Sequence, residues 1–121
     1  MLEKVFADRT ILVVEDEMLI LLFIEDLLQE LGCRAVLSAA TVDQALALIE
    51  VHAFDAATVD MNLNGVESLP IADALSKRGV PFIFLTGYTD RQSRGAHASR
   101  PILRKPFHEA ALREALAGVM A

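Results

Sequence analysis

At 121 residues the chain is long enough for one domain with a sizeable core, and too short for two of ordinary size. Its net charge of −6 excludes general nucleic-acid binding, which needs a basic surface. A single cysteine, Cys33, excludes an internal disulfide framework and reads as a small buried hydrophobe.

The N-terminus has no basic region followed by a long apolar run, so it is no signal peptide. The first expected strand, residues 10–14, is the apolar run Thr10-Ile11-Leu12-Val13-Val14, which leads straight into Glu15-Asp16. Helix one is expected over 17–31, closed by Gly32. Its helical period puts Ile20, Ile24, Leu27, Leu28 and Leu31 on the core stripe. Met18 and Leu22 then share the opposite face with Glu25 and Gln29, as a small apolar docking patch beside an acidic edge. The longest apolar stretch, Met18 to Ile24, is too short to span a bilayer, so a cytoplasmic protein with no membrane partner is expected.

Strand two is expected over 34–38. Helix two follows from near Thr41 to about residue 51, opened by Thr-Val-Asp-Gln, which resembles a capping box. Strand three, 55–60, ends at Asp60, followed by the turn residues Asn62, Asn64 and Gly65. Helix three is expected over 67–78 and strand four over 81–86, ending at Thr86-Gly87. A poor fourth helix over 89–97 has no large apolar side chain to hold it to a sheet, so it is expected to be short or disordered. Strand five, 100–104, leads into Lys105-Pro106, and helix five runs to about residue 119. His52, His97 and His108 have no metal-ligand spacing and read as surface residues.

Strands alternating with helices predict an α/β fold with right-handed crossovers: a doubly wound, flavodoxin-like, five-stranded parallel sheet of order 2-1-3-4-5 with about five helices. All strand C-termini then lie on one edge, where ligands bind. That edge gathers Glu15, Asp16, Asp60, Thr86 and Lys105. Any one of the acids alone is equally well read as a helix cap or a turn residue. Together they repel, by roughly 4 kcal/mol per pair at about 4 Å and an effective dielectric near 20. A divalent cation relieves this, and all-oxygen ligands favour magnesium or manganese over zinc.

Four pieces carry a resemblance: Val-Val-Glu-Asp-Glu (13–17), Asp-Met-Asn-Leu-Asn-Gly (60–65), Phe-Leu-Thr-Gly-Tyr (84–88) and Arg-Lys-Pro-Phe (104–107). In this order, and at strand ends, they resemble the receiver domain of two-component response regulators over nearly the whole chain. The resemblance implies that Asp60 accepts a phosphoryl group from a histidine kinase or a histidine phosphotransfer domain. Asp16 and Asp60 would bind magnesium directly, Glu15 through water, and Asn62 through its backbone carbonyl. Lys105 and Thr86 would serve the phosphoryl oxygens, and a cis Lys105-Pro106 bond would aim the lysine inward. The start of helix one, with Met18 and Leu22, would meet the donor's helical domain.

The chain departs from the common receiver pattern at Ile102, where an aromatic residue usually completes a threonine–aromatic switch. Tyr88, two residues after Thr86, is the expected switch or partner contact instead. Phe-Leu-Thr-Gly-Tyr looks like the subclass with Phe-Ala-Thr-Gly-X-Tyr. Residues 86–105 hold Arg91, Arg94, Arg100, Arg104 and Lys105 against Asp90, a basic segment in an acidic chain that is expected to reorder on phosphorylation. The expectation is a stand-alone receiver, residues 1–121, that signals by protein contact to an unknown downstream partner and is not an enzyme. The rivals are a non-phosphorylated binding module on the same fold and an Asp-nucleophile phosphatase. The phosphatase would want a second acid where Asn62 stands.

Overall fold

The elements run β1 (Thr10–Val14), α1 (Met18–Glu30), β2 (Ala35–Ala39), α2 (Val42–Val51), β3 (Ala56–Asp60), a hairpin of β4 (Asn62–Leu63) and β5 (Val66–Glu67), α3 (Leu69–Lys77), β6 (Phe82–Thr86), β7 (Ile102–Arg104) and α4 (Glu109–Met120). The structure, a computed structural model, describes residues 6–87 and 97–120. The five long-range strands pair in parallel in the order β2-β1-β3-β6-β7, which is the expected 2-1-3-4-5 when the hairpin is set aside. Four helices lie among the described residues. The expected helix over 89–97 falls almost wholly outside them.

Buried, mostly apolar residues run through β1, β3 and β6 because successive side chains point to opposite faces and both faces are covered. Leu12, Val14, Ala57, Val59, Phe82 and Phe84 enter one core with side chains of α2 and α3. Ile11, Val13, Ala56, Ile83 and Leu85 enter a second core with α1 and α4. Among the described residues no helix is long and apolar enough to cross a membrane.

Local chemistry fixes the helix ends. Thr41 caps α2, its Oγ1 accepting from Gln44 N–H at 3.1 Å, while Gln44 Oε1 reaches back to Ala40 N–H at 2.9 Å. Helix α1 ends in a Schellman motif, with Gly32 N–H on Gln29 O and Cys33 N–H on Leu28 O. Gly32 takes φ 89°, which a side chain would disfavour.

Three expectations need correction. The α1 stripe is rotated by one residue at its start: Leu21 is buried with Ile24, Leu27, Leu28 and Leu31, whereas Ile20 is half-buried. Helix three starts at Leu69 instead of residue 67, because the expected turn at Asn64 (φ 54°) and Gly65 (φ 85°) closes a small hairpin whose second strand takes Val66 and Glu67. Asn64 and Gly65 are the left-handed pair a type I′ turn demands, and Asn-Gly between Leu63 and Val66 was its signal.

His97 is the third correction: it is buried, not exposed. Its Nε2 lies 2.7 Å from Asp73 Oδ1 and its Nδ1 3.3 Å from Ser76 Oγ, and the ring packs edge-on to Phe82. Arg100 lays its guanidinium over the same phenyl ring at 4.5 Å and donates to Ser76 Oγ. His97 and Arg100 are therefore held to α3 and Phe82 by a polar clamp. A search for apolar anchors misses such a contact, because a histidine ring can be buried when both nitrogens find partners.

Candidate functional site

Strand register decides which ends meet. Val14 lies opposite Val59, so Glu15 emerges beside Asp60, and Asp60 in turn lies opposite Leu85. Thr86 lies opposite Arg104, and the next residue, Lys105, donates its backbone N–H to Thr86 O at 2.8 Å. The Lys105–Pro106 bond is cis.

The side chains converge accordingly. Oxygens of Glu15, Asp16 and Asp60 all lie within 4.8 Å of one another. Lys105 Nζ donates to Asp60 Oδ2 at 2.9 Å, to Glu15 Oε2 at 3.1 Å and to Glu17 Oε1 at 3.2 Å. Glu15 Oε1 sits 3.0 Å from the same nitrogen but outside hydrogen-bond geometry, and it has no hydrogen-bond partner. Backbone donors hold the acids in place. Glu17 N–H bonds Glu15, Asn62 N–H bonds Asp60 Oδ1 at 3.0 Å, and Asn64 N–H bonds Asp16 Oδ2 at 3.1 Å. The hairpin thus ties Asp16 to the segment that follows Asp60.

Glu15 and Asp60 are almost wholly buried. Burial pushes the Glu15 carboxyl up to about 8, and the neighbouring Asp60 pushes the same way, against Lys105 and Glu17 N–H. Burial also raises Asp60, while the neighbouring Glu15 and the bonds from Lys105 and Asn62 N–H oppose the rise. Burial works against the Lys105 charge, but Asp60 and Glu15 outweigh it and hold the ammonium above its ordinary value. Without a cation, burial and Asp60 thus favour the protonated form of Glu15. The donor set fits a hard divalent cation: all oxygen, no nitrogen or sulfur, and one buried carboxylate oxygen without a hydrogen bond.

Thr86 is buried at this edge, its Oγ1 donating to Gly87 O at a long 3.3 Å. Asn62 and Asn64 line the same open cleft of about 230 Å3 as Asp16, Asp60 and Lys105. Tyr88 lies outside the described residues. Cys33 is half-buried and takes no part; burial and then the charge of Asp55 push its thiol up to about 11, away from the reactive thiolate.

Met18 and Leu22 are exposed, and so are Leu19, at 83%, and Phe23. The last two were missed because the one-residue rotation of the stripe turns them outward. A larger groove of about 480 Å3 runs between Leu19, Ile20, Phe23 and Phe107, with Glu17 and Lys105 among its lining. The chemistry belongs to the smaller cleft, where the carboxylates are, and the groove adjoins it.

A profile of the response regulator receiver domain matches residues 11–117. The transcriptional regulatory protein PdtaR of Mycobacterium tuberculosis is 31% identical over 104 residues, which cover 82% of this chain. The chain spans about half the length of that curated relative, 50%. The solution structure of SdrG from Sphingomonas melonis Fr1 is similar at 39% identity and a TM-score of 0.81, covering 94% of this chain and 98% of that one. The receiver domain of the sensor histidine kinase PA1611 from Pseudomonas aeruginosa PAO1 is similar at 30% identity and a TM-score of 0.81, with 94% and 98% covered. That crystal structure holds a magnesium ion coordinated in its active-site cleft.

Proposed function

The chain belongs to the response regulator receiver domain family, and on that premise we propose that it takes a phosphoryl group from a phosphohistidine onto Asp60 and signals in that form by protein contact. The observation that carries this reading is the ammonium of Lys105 set 2.9 Å from Asp60 Oδ2 inside a cluster of three carboxylates. The donor is a histidine kinase or a histidine phosphotransfer domain. The net charge of −6 supports a protein partner over nucleic acid, and the proposed location is cytoplasmic.

Each residue then has a part. An Asp60 carboxylate oxygen attacks phosphorus, the P–N bond to the imidazole breaks, and the leaving nitrogen keeps the electron pair. Lys105 balances the charge that gathers on the phosphoryl oxygens, and Thr86 has a hydroxyl to turn toward them. Asp16, Asp60, Glu15 and the backbone carbonyl of Asn62 would hold magnesium, which supplies positive charge that both offsets the acids and draws in the phosphoryl oxygens. Tyr88 follows Thr86 by two residues, which supports it as the switch contact. Water later cleaves the acyl phosphate and returns the carboxylate.

Labelling with a small phosphodonor separates this from its rivals. The account predicts one magnesium-dependent phosphoryl group per chain that persists after the donor is removed. Continuous fast turnover of the donor would indicate a phosphatase, and no label a binding module.

Met18 and Leu22 are assigned to donor docking because they are exposed in the first turns of α1, which follow Asp16 and Glu17 of the cleft, and contribute little to the core. Replacing both with Ser is expected to slow transfer from a phosphohistidine domain by roughly tenfold, the scale of a small interface hot spot. Labelling by the small donor should stay within about twofold of wild type on the same argument. Equal loss with both donors would make the patch structural.

A further inference from the structure

A lysine ammonium has three N–H donors and no more. In this chain all three of Lys105 end on carboxylates: Asp60, Glu15 and Glu17. A phosphoryl group arriving on Asp60 therefore finds the lysine saturated, and one partner must let go. Glu15 is wholly buried and Asp60 is the acceptor itself, whereas the Glu17 side chain is 60% exposed, so water can take over its oxygen.

The position of Glu17 makes its contact with Lys105 informative. It is the N-cap residue of α1, yet its side chain makes no capping bond and reaches a lysine 88 residues away in sequence. Glutamate is not among the residues that cap well, so α1 forgoes nothing by this choice. Glu17 also lines both the cleft of the carboxylates and the apolar groove beside it. A donor seated in that groove meets Glu17 on its way to Asp60.

We infer that Glu17 is a positioning residue that gates Lys105: it occupies the third donor of the ammonium in the resting chain and yields it when the phosphoryl group arrives. The inference rests on Asp60 being the acceptor. While paired, Glu17 blocks the third donor of Lys105, so it raises the threshold for phosphorylation by weak donors. Its release frees a side chain at the mouth of the groove, in the position where a bound partner would sense it.

The test compares wild type, Glu17→Gln and Glu17→Asp, with acetyl phosphate and magnesium as the probe. Glu17→Gln should lower the donor concentration for half-maximal labelling by about threefold, the scale set by one half-exposed ion pair. Aspartate keeps the charge but is one methylene shorter and a strong N-cap residue, so it should cap α1 and also free Lys105. The gate predicts that it behaves like Gln. The ε-methylene resonance of Lys105 in both unphosphorylated variants should move toward its position in the labelled wild type, which a purely structural role of Glu17 would not produce. Wild-type behaviour of Glu17→Asp would assign the effect to net charge and overturn the gate, as would an unchanged half-saturation in Glu17→Gln. No label on any of the three would overturn the assignment of Asp60 and the gate with it.

Discussion

Asp60→Asn is expected to take up no phosphoryl group from any donor and to remain folded. The amide oxygen carries no negative charge to attack phosphorus, so labelling should fall by at least roughly a hundredfold. The shape is nearly unchanged. An amide oxygen can still accept from Asn62 N–H, which Asp60 Oδ1 does now at 3.0 Å, so the entry to the hairpin keeps its anchor. Losing one acid from a buried pair also relieves repulsion on Glu15, so metal-free stability at pH 8 should hold or rise. Intact-mass spectrometry and urea denaturation check the two halves. Retained labelling would move the acceptor elsewhere, and loss of the fold would make Asp60 a structural residue.

Stability of the metal-free protein is expected to fall as pH rises from about 4.5 to about 8. Below the lower limit Glu15 is protonated both folded and unfolded, and contributes no pH dependence. Above it the unfolded chain releases the proton while the folded chain retains it, so the folded state binds more protons and loses stability with each step in pH. Near 8 the folded carboxyl ionises too and the curve levels off. The raised Asp60 works in the same direction. Lys105, also raised, contributes stability that is fully present throughout this window and is lost only at much higher pH. The fall is on the order of a few kcal/mol, since each pKa unit corresponds to about 1.4 kcal/mol. Saturating magnesium, which favours the charged carboxylates, should flatten the curve, as should Asp60→Asn. Urea midpoints across this range, with chelator and with magnesium, test it. A metal-free curve that stays level or climbs would mean that Glu15 ionises freely in the fold.

The sheet was legible because its three central strands are buried on both faces, which leaves largely apolar runs that end abruptly at Glu15, Asp60 and Thr86. Parallel topology then fixes the edge on which those residues stand. The reach of each side chain was not legible. Nothing in the sequence says that Glu17 turns to Lys105 instead of capping α1, because the two choices differ only in rotamer. The α1 stripe was misplaced at Ile20 because Ile20 and Leu21 are equally apolar, and helical period alone cannot choose between neighbours when Met18 to Ile24 is apolar all round. His97 escaped notice for the opposite reason: its burial rests on two hydrogen bonds and an aromatic contact, none of which leaves an apolar pattern.

The most direct test of the central claim is to find the labelled atom. Wild-type protein treated with a small phosphodonor and magnesium, then reduced with borohydride and digested, is expected to show a single modified peptide. In it Asp60 is converted to homoserine, and the conversion is absent when magnesium is withheld. A modification that maps to another residue, or unmodified Asp60 in protein that carries the label, would contradict the account.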